Sequence, residues 1–199
     1  MIVVDVETTG TDPDAHALVS IGAVELAQPE NKFYSECRAF AGAHFDEKAL
    51  EINGFTKEEL TDSSKKSLKV CLNEFLEWSR EVADRTLAGH NVQFDIHFIE
   101  KSLTRVGEAY PFSHRTIDTH SLTYMHMIHR GLTPPFDEAH GHTGLDSDFV
   151  FDYVGLNITR GEHNALEDAK LTAEAISRLL YDEKLLEAFR QYSIPWKDE

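Results

Sequence analysis

Asp5 and Glu7 stand two residues apart in DVETTG, residues 5–10, directly behind the apolar run Ile2-Val3-Val4. On a strand, residues i and i+2 project from one face, so the two carboxylates converge. Charges that close repel each other unless a cation or a proton lies between them. The bland alternative is a strand end meeting water. A third acid, Asp95, closes the segment HNVQFD at 90–95. It falls about one turn into an expected helix with Asn91 as candidate N-cap, where the helix dipole alone would favour a carboxylate. A fourth, Asp168, closes HNALED at 163–168, which His163 opens. With Asn164 as N-cap and Glu167 at the third helical position, that segment reads as an approximate capping box. His163 then precedes the helix and can turn back toward Asp168, whereas residues five apart inside a helix diverge by about 140°. Alone, a histidine here is more often a surface residue than a base.

Four carboxylates and one imidazole at a strand end and two helix starts suit one chemistry. Ligand crevices in open α/β sheets lie at such ends. Oxygen ligands favour Mg²⁺ or Mn²⁺ over zinc. Two such ions about 3.5–4 Å apart stabilise the attacking and leaving oxygens of a phosphodiester displacement. A histidine can activate water near neutral pH.

The elements that must position these groups follow from patterning. Ile2 to Val6 reads as a central strand. Thr9 to Asp14 is a turn, and residues 17–27 and 32–40 read as two further strands of a meander. Residues 45–60 are helical, broken at Asn53-Gly54. Leu68, Cys71, Leu72, Phe75, Leu76 and Val82 recur at helical spacing, with Ser63, Ser64 or Asp62 as candidate caps. A short strand at 86–89 leads into a helix to about Val106. A strand at 115–119 leads into a helix to about Arg130. Residues 131–144 read as irregular, a long helix covers about 164–181, and a short one covers 185–189. Three early strands followed by strand–helix alternation predict an α/β fold, a mixed sheet with helices on both faces.

The chain has 199 residues, suited to one α/β domain. No apolar run is long enough for a membrane span. A strand expected from residue 2 leaves no room for a cleaved leader. The two cysteines, Cys37 and Cys71, are no disulfide framework, so a reducing cytoplasm is the expectation. The net charge of −16 disfavours tight binding of long polyanions.

The three segments, in this order and separation, resemble the three motifs of the DEDDh (DnaQ-like) 3′–5′ exonucleases of the ribonuclease H-like superfamily. The resemblance covers residues 1 to about 180, and EINGFT at 51–56 resembles a further family segment. It implies a five-stranded mixed sheet flanked by helices, an exonuclease domain over 1–182, and a short C-terminal helix and tail, 183–199, packed on it. It implies two divalent cations, Mg²⁺ or Mn²⁺. Asp5, Glu7 and Asp168 would hold the first ion, Asp5 would bridge to the second near Asp95, and His163 would be the general base. Thr8 and Thr9 would meet the terminal nucleotide, and Glu7 its 3′-OH. Leu18 would be either a wedge against the terminal base or an ordinary core leucine, and Asn91 either a substrate contact or only an N-cap. The implied substrate is the 3′ end of single-stranded nucleic acid, of the DNA proofreading or trimming type, with RNA 3′-end trimming or short-oligonucleotide hydrolysis as the alternative. A polymerase or other replication protein is the implied partner, and both monomer and homodimer fit.

Other readings are a non-catalytic binding module, which the presence of all five residues opposes, and a hydrolase of dinucleotides, which the acidity favours. His126, His129, His140 and His142 raise a zinc reading. No cysteine accompanies them and Pro134-Pro135 interrupts them, so a substrate-facing loop is preferred. Tyr124, Phe136, Phe149 and Phe151 are its candidate stacking residues, although Phe149 and Phe151 are more simply core. Lys32, Arg38, Arg115, Arg130 and Arg160 are candidate phosphate contacts.

Overall fold

The β-branched run behind Asp5 becomes the centre of a sheet. The structure, a computed structural model, describes residues 1–158 and 161–197. Strand β1 (Ile2–Thr8) pairs antiparallel with β2 (Leu18–Glu25), which pairs antiparallel with β3 (Lys32–Glu36). On its other side β1 pairs in parallel with β4 (Leu87–Gly89), and β4 pairs in parallel with β5 (Thr116–Asp118). The sheet order is β3-β2-β1-β4-β5, the mixed five-stranded sheet expected. The second and third strands are shorter than the apolar patterning suggested.

Alternation along β1 divides its side chains between two helical layers. Ile2, Val4 and Val6 pack with Leu72, Phe75 and Ile99 from α3 (Leu68–Arg80) and α4 (Gln93–Val106). Val3 packs on the opposite face against Ala169, Ala173 and Ile176 of α7 (Ala165–Tyr181). Asp5 and Glu7 continue the face of Val3, as the i, i+2 argument requires. Alanines along α7 let it lie close to the sheet.

Between β3 and α3 run α1 (Glu47–Asn53) and α2 (Lys57–Thr61). They are separated at Gly54, whose φ of 73° ends α1 in the left-handed conformation glycine accepts most readily. Helix α3 is capped by Ser67, whose hydroxyl accepts from Val70 N–H, and not by the three candidates further upstream. Helix α4 begins after Val92 with no side-chain cap. Asn91 stands outside it at φ 51°, which corrects the N-cap expectation. Helix α5 (Thr119–His129) follows β5. The stretch read as irregular holds a hairpin, β6 (Phe136–Asp137) with β7 (His142–Thr143), and α6 (Ser147–Tyr153) follows it unforeseen. A 3₁₀ turn, Glu187–Phe189, replaces the last short helix.

Candidate active site

Position and orientation at the end of β1 come from three close approaches. The β1–β4 ladder covers only Ile2 and Val3, so β1 runs on beyond its parallel neighbour. The Val6 N–H, pointing to that side, donates to Asp95 Oδ1 at 2.9 Å. This bond fixes the first turn of α4 to the strand that carries Asp5 and Glu7. Asp118, at the end of β5, accepts from Val92 N–H at 3.0 Å and so fixes the entry to α4.

The second approach is α7 onto β2. Gly22 lies opposite Asp5 in the β1–β2 register. A Cβ there would come within 2.2 Å of Ala165 C and Leu166 N, so only glycine lets the first turn of α7 descend onto the sheet. Asn164 caps that turn by accepting from Leu166 and Glu167 N–H, while Glu167 pairs with Lys170. Asp168, one turn in, is buried at the strand end. The third approach is α1. His163 N–H donates to Ile52 O at 2.8 Å, and the Asn53 side chain donates to Thr8 O at 3.0 Å. Asn53 also accepts from Phe55 N–H, so the buried asparagine of EINGFT joins α1 to the end of β1.

These approaches bring the five predicted residues together. The ligand atoms of Glu7, His163 and Asp168 lie within 4.8 Å of one another. His163 Nδ1 is 3.5 Å from Asp168 Oδ2, and the imidazole is one-third exposed (33%) beside the buried carboxylate. Asp5, Glu7, Asp95 and His163 line one cleft of about 310 Å³ with Asn53, His90 and Asn91. A neighbouring hollow shares Glu7, Asn53 and His163 and reaches Tyr34 and Glu36. Burial, above all, holds the Asp95 carboxyl well above the usual carboxylate range. The Val6 N–H opposes this, and the charges of Glu7 and Asp118 add to it.

The substrate-side expectations fare unevenly. Leu18 is 1% exposed and sits in the core with Ile21 and Val4, so it is the ordinary core leucine. Thr9 is fully buried; its hydroxyl donates to His44 O and accepts from Ala17 N–H, so it stays within the fold. Thr8 lines the cleft, but its hydroxyl donates to Gly10 O. Asn91 is exposed at the cleft. Ile52, 43% exposed, and Phe94 line the cleft as apolar residues. Ile52 was missed because one apolar residue on a short helix carries no signal apart from its neighbour Asn53. Among the stacking candidates Tyr124 and Phe136 are exposed and Phe151 is core. Lys32 pairs with Glu30, and Arg38 bonds the carbonyls of Ser63 and Lys65. Arg160 lies outside the described residues.

Sheet order and the acidic strand end define a mixed α/β protein with its candidate site at the end of the central strand. The family described as Exonuclease (RNase T) matches residues 2–176. DNA polymerase III subunit epsilon of Rickettsia prowazekii is 32% identical over 187 residues, covering 87% of this chain and 70% of that protein. DNA polymerase III PolC-type of Thermotoga maritima is 29% identical over 181 residues, 90% of this chain but 12% of that protein. The chain thus spans about an eighth of the length of its PolC-type relatives. The nuclease domain of 3′hExo, a DEDDh family member bound to rAMP, superposes with a TM-score of 0.69 at 14% identity, covering 94% of each chain. E. coli Exonuclease I in complex with a dA16 oligonucleotide superposes with a TM-score of 0.68 at 18% identity, covering 92% of this chain and 40% of that one. The chain belongs to the DnaQ-like DEDDh exonuclease family. Among the described residues no helix is long and apolar enough to cross a membrane.

Proposed function

We propose that this chain is a 3′–5′ exonuclease that releases nucleoside 5′-monophosphates from single-stranded 3′ ends, with DNA preferred to RNA. The observation that carries the reading is the convergence of Glu7, His163 and Asp168 within 4.8 Å at the strand end that Asp5 and Asp95 also line. This donor set, rich in carboxylates, fits hard divalent cations. Asp5, Glu7, Asp95 and Asp168 would hold two of them, Mg²⁺ or Mn²⁺. When bound, the ions neutralise charge on the scissile phosphate and acidify the attacking water.

The chain's own groups supply the rest. His163 takes the proton of the attacking water. Its Nδ1 lies 3.5 Å from Asp168 Oδ2, and the residue lines the cleft where the water would be activated. Ile52 and Phe94 flank the terminal base, and Asn91 meets the strand beside it. The epsilon-subunit relative supports DNA as substrate and a polymerase or other replication protein as partner. Two buried free thiols, Cys37 and Cys71, support a reducing, cytoplasmic setting.

The test is a time course on 5′-labelled DNA and RNA oligomers of several lengths, with Mg²⁺, Mn²⁺ or EDTA. A ladder shortening from the 3′ end, lost in EDTA and in Asp5→Ala, is the expected result. A faster RNA ladder would redirect the reading to RNA trimming. No cleavage of any polymer by folded protein would overturn it.

A further inference from the structure

The structure divides the histidine-rich segment in a way its sequence does not. His126 lies on α5, where its Nδ1 meets Tyr153 Oη at 2.7 Å and its ring packs on Trp196. His129 is in the last turn of the same helix. His140 and His142 instead belong to the β6–β7 hairpin, where Asp137 joins them. The ligand atoms of Asp137, His140 and His142 lie within 4.8 Å of one another. We propose that this hairpin is a second metal site, separate from the acidic cleft and selective for Zn²⁺ or a similar transition-metal ion.

The hairpin is already arranged for it. Asp137 Oδ1 accepts from the N–H groups of Ala139 and His140 and so shapes the turn. Asp137 Oδ2 lies 2.8 Å from His140 Nδ1. His142 Nδ1 is 3.0 Å from Thr143 O, a carbonyl that can only accept, so this nitrogen carries the proton. The other ring nitrogen of His142 therefore keeps its lone pair for a cation. The two rings lie nearly parallel, 21° apart, with centroids 5.8 Å apart. Ligands of a tetrahedral zinc lie about 2.0–2.2 Å from the ion, so a modest closure of the hairpin completes three positions, and water takes the fourth. Two imidazoles and one carboxylate select zinc, nickel or copper over magnesium. The selectivity is thus opposite to that of the carboxylate-rich cleft.

The ion would brace a short element. The hairpin has two cross-strand pairs, Phe136 with Thr143 and Asp137 with His142, and an isolated two-stranded hairpin is marginal in water. It is also coupled to the site. Thr143 Oγ1 lies 2.6 Å from His120 Nε2, the His120 N–H donates to Asp118, and Asp118 accepts from Val92 at the entry to α4.

The test is a titration of the intact ¹⁵N-labelled protein with Zn²⁺, followed through the imidazole ring nitrogens. The rings of His140 and His142 should shift together with the first equivalents, before that of exposed His114, and Mg²⁺ should leave them unmoved. His142→Ala should weaken the response at His140 by about tenfold or more, the scale of losing a supporting group at a metal site. Unchanged thermal unfolding of that variant in EDTA would show that the fold is intact. The proposal is overturned if His140 and His142 shift independently of each other, or only at zinc levels that also move His114.

Discussion

Asp95 serves the fold and the cleft at once, and the two uses conflict. Its buried carboxyl accepts the Val6 N–H yet faces the charges of Glu7 and Asp118. A carboxyl raised in the folded state keeps a proton that the unfolded chain loses. Its contribution to stability is therefore full below the unfolded pKa, about 3.9, and is lost as pH rises from there through the folded value. Asp95→Asn keeps an acceptor for Val6 without the charge. In EDTA, the melting temperature of the variant should exceed that of the parent by a margin that widens as pH rises above about 4. Exonuclease activity in Mg²⁺ should be lost in the same variant; a margin independent of pH would contradict this account. For His163→Gln, removal of the proposed base should lower kcat by about 10²–10⁴-fold, the range for general-base loss, with folding unchanged. Single-turnover rates would measure this.

At the scale of elements, the site depends on how closely α7 approaches β2. Gly22→Ala would place a methyl group 2.2 Å from the backbone of Ala165 and Leu166, which cannot yield as a side-chain tip would. The first turn of α7 must lift, carrying His163 and Asp168 away from Glu7. We expect a stability loss of about 1–3 kcal/mol, as for overpacking elsewhere. Activity should fall further than the folded fraction does. Denaturant unfolding beside steady-state kinetics would separate the two, and unchanged kinetics would show that α7 does not set the site. The far half of α7 has another task. Arg178 is fully buried, pairs with Glu174 at 2.8 Å and donates to carbonyls of Val154, Phe189, Tyr192 and Ser193. Glu174 accepts in turn from the N–H groups of Leu185 and Leu186. This pair fastens α6 and the tail to α7. Breaking one partner of a buried pair strands the other's charge, so Arg178→Met should cost about 3–5 kcal/mol in chemical denaturation. Proteolysis should then begin in residues 183–197.

For the whole molecule the net charge of −16 sets how substrate is met. Among its described residues the cleft lining includes no lysine or arginine. Few phosphates can then be neutralised by side chains, and little counterion release follows. The apparent affinity for single-stranded oligomers should depend on salt with a slope of only about −1 to −2, where a basic groove contacting many phosphates gives far steeper slopes. Short oligomers should be cleaved about as well as long ones, because the described cleft lining offers added length no basic side chain to engage. Michaelis constants against salt and chain length would measure this. A steep slope would place phosphate contacts outside the cleft.

The sequence by itself determined the identities of the five residues that converge, the alternation that aims Asp5 and Glu7 to one face, and the Asn164 cap that starts α7. These are local properties: a strand has period two, and a cap lies within a turn of its helix. Sequence order also fixed which elements could meet at the end of β1. Tertiary structure decided the rest, because the remaining facts rest on approach between residues distant in the chain. Leu18 went to the core and Ile52 to the cleft wall, although both are aliphatic. Thr9 turned inward to bond His44 and Ala17, a use of its hydroxyl that DVETTG does not betray. Four histidines close in sequence separated into a helix face and a hairpin, where an aspartate joined two of them. Gly22 reads as a weak point in a strand until α7 is laid across it. Spacing reports which side chains share a face, and only packing reports what that face meets.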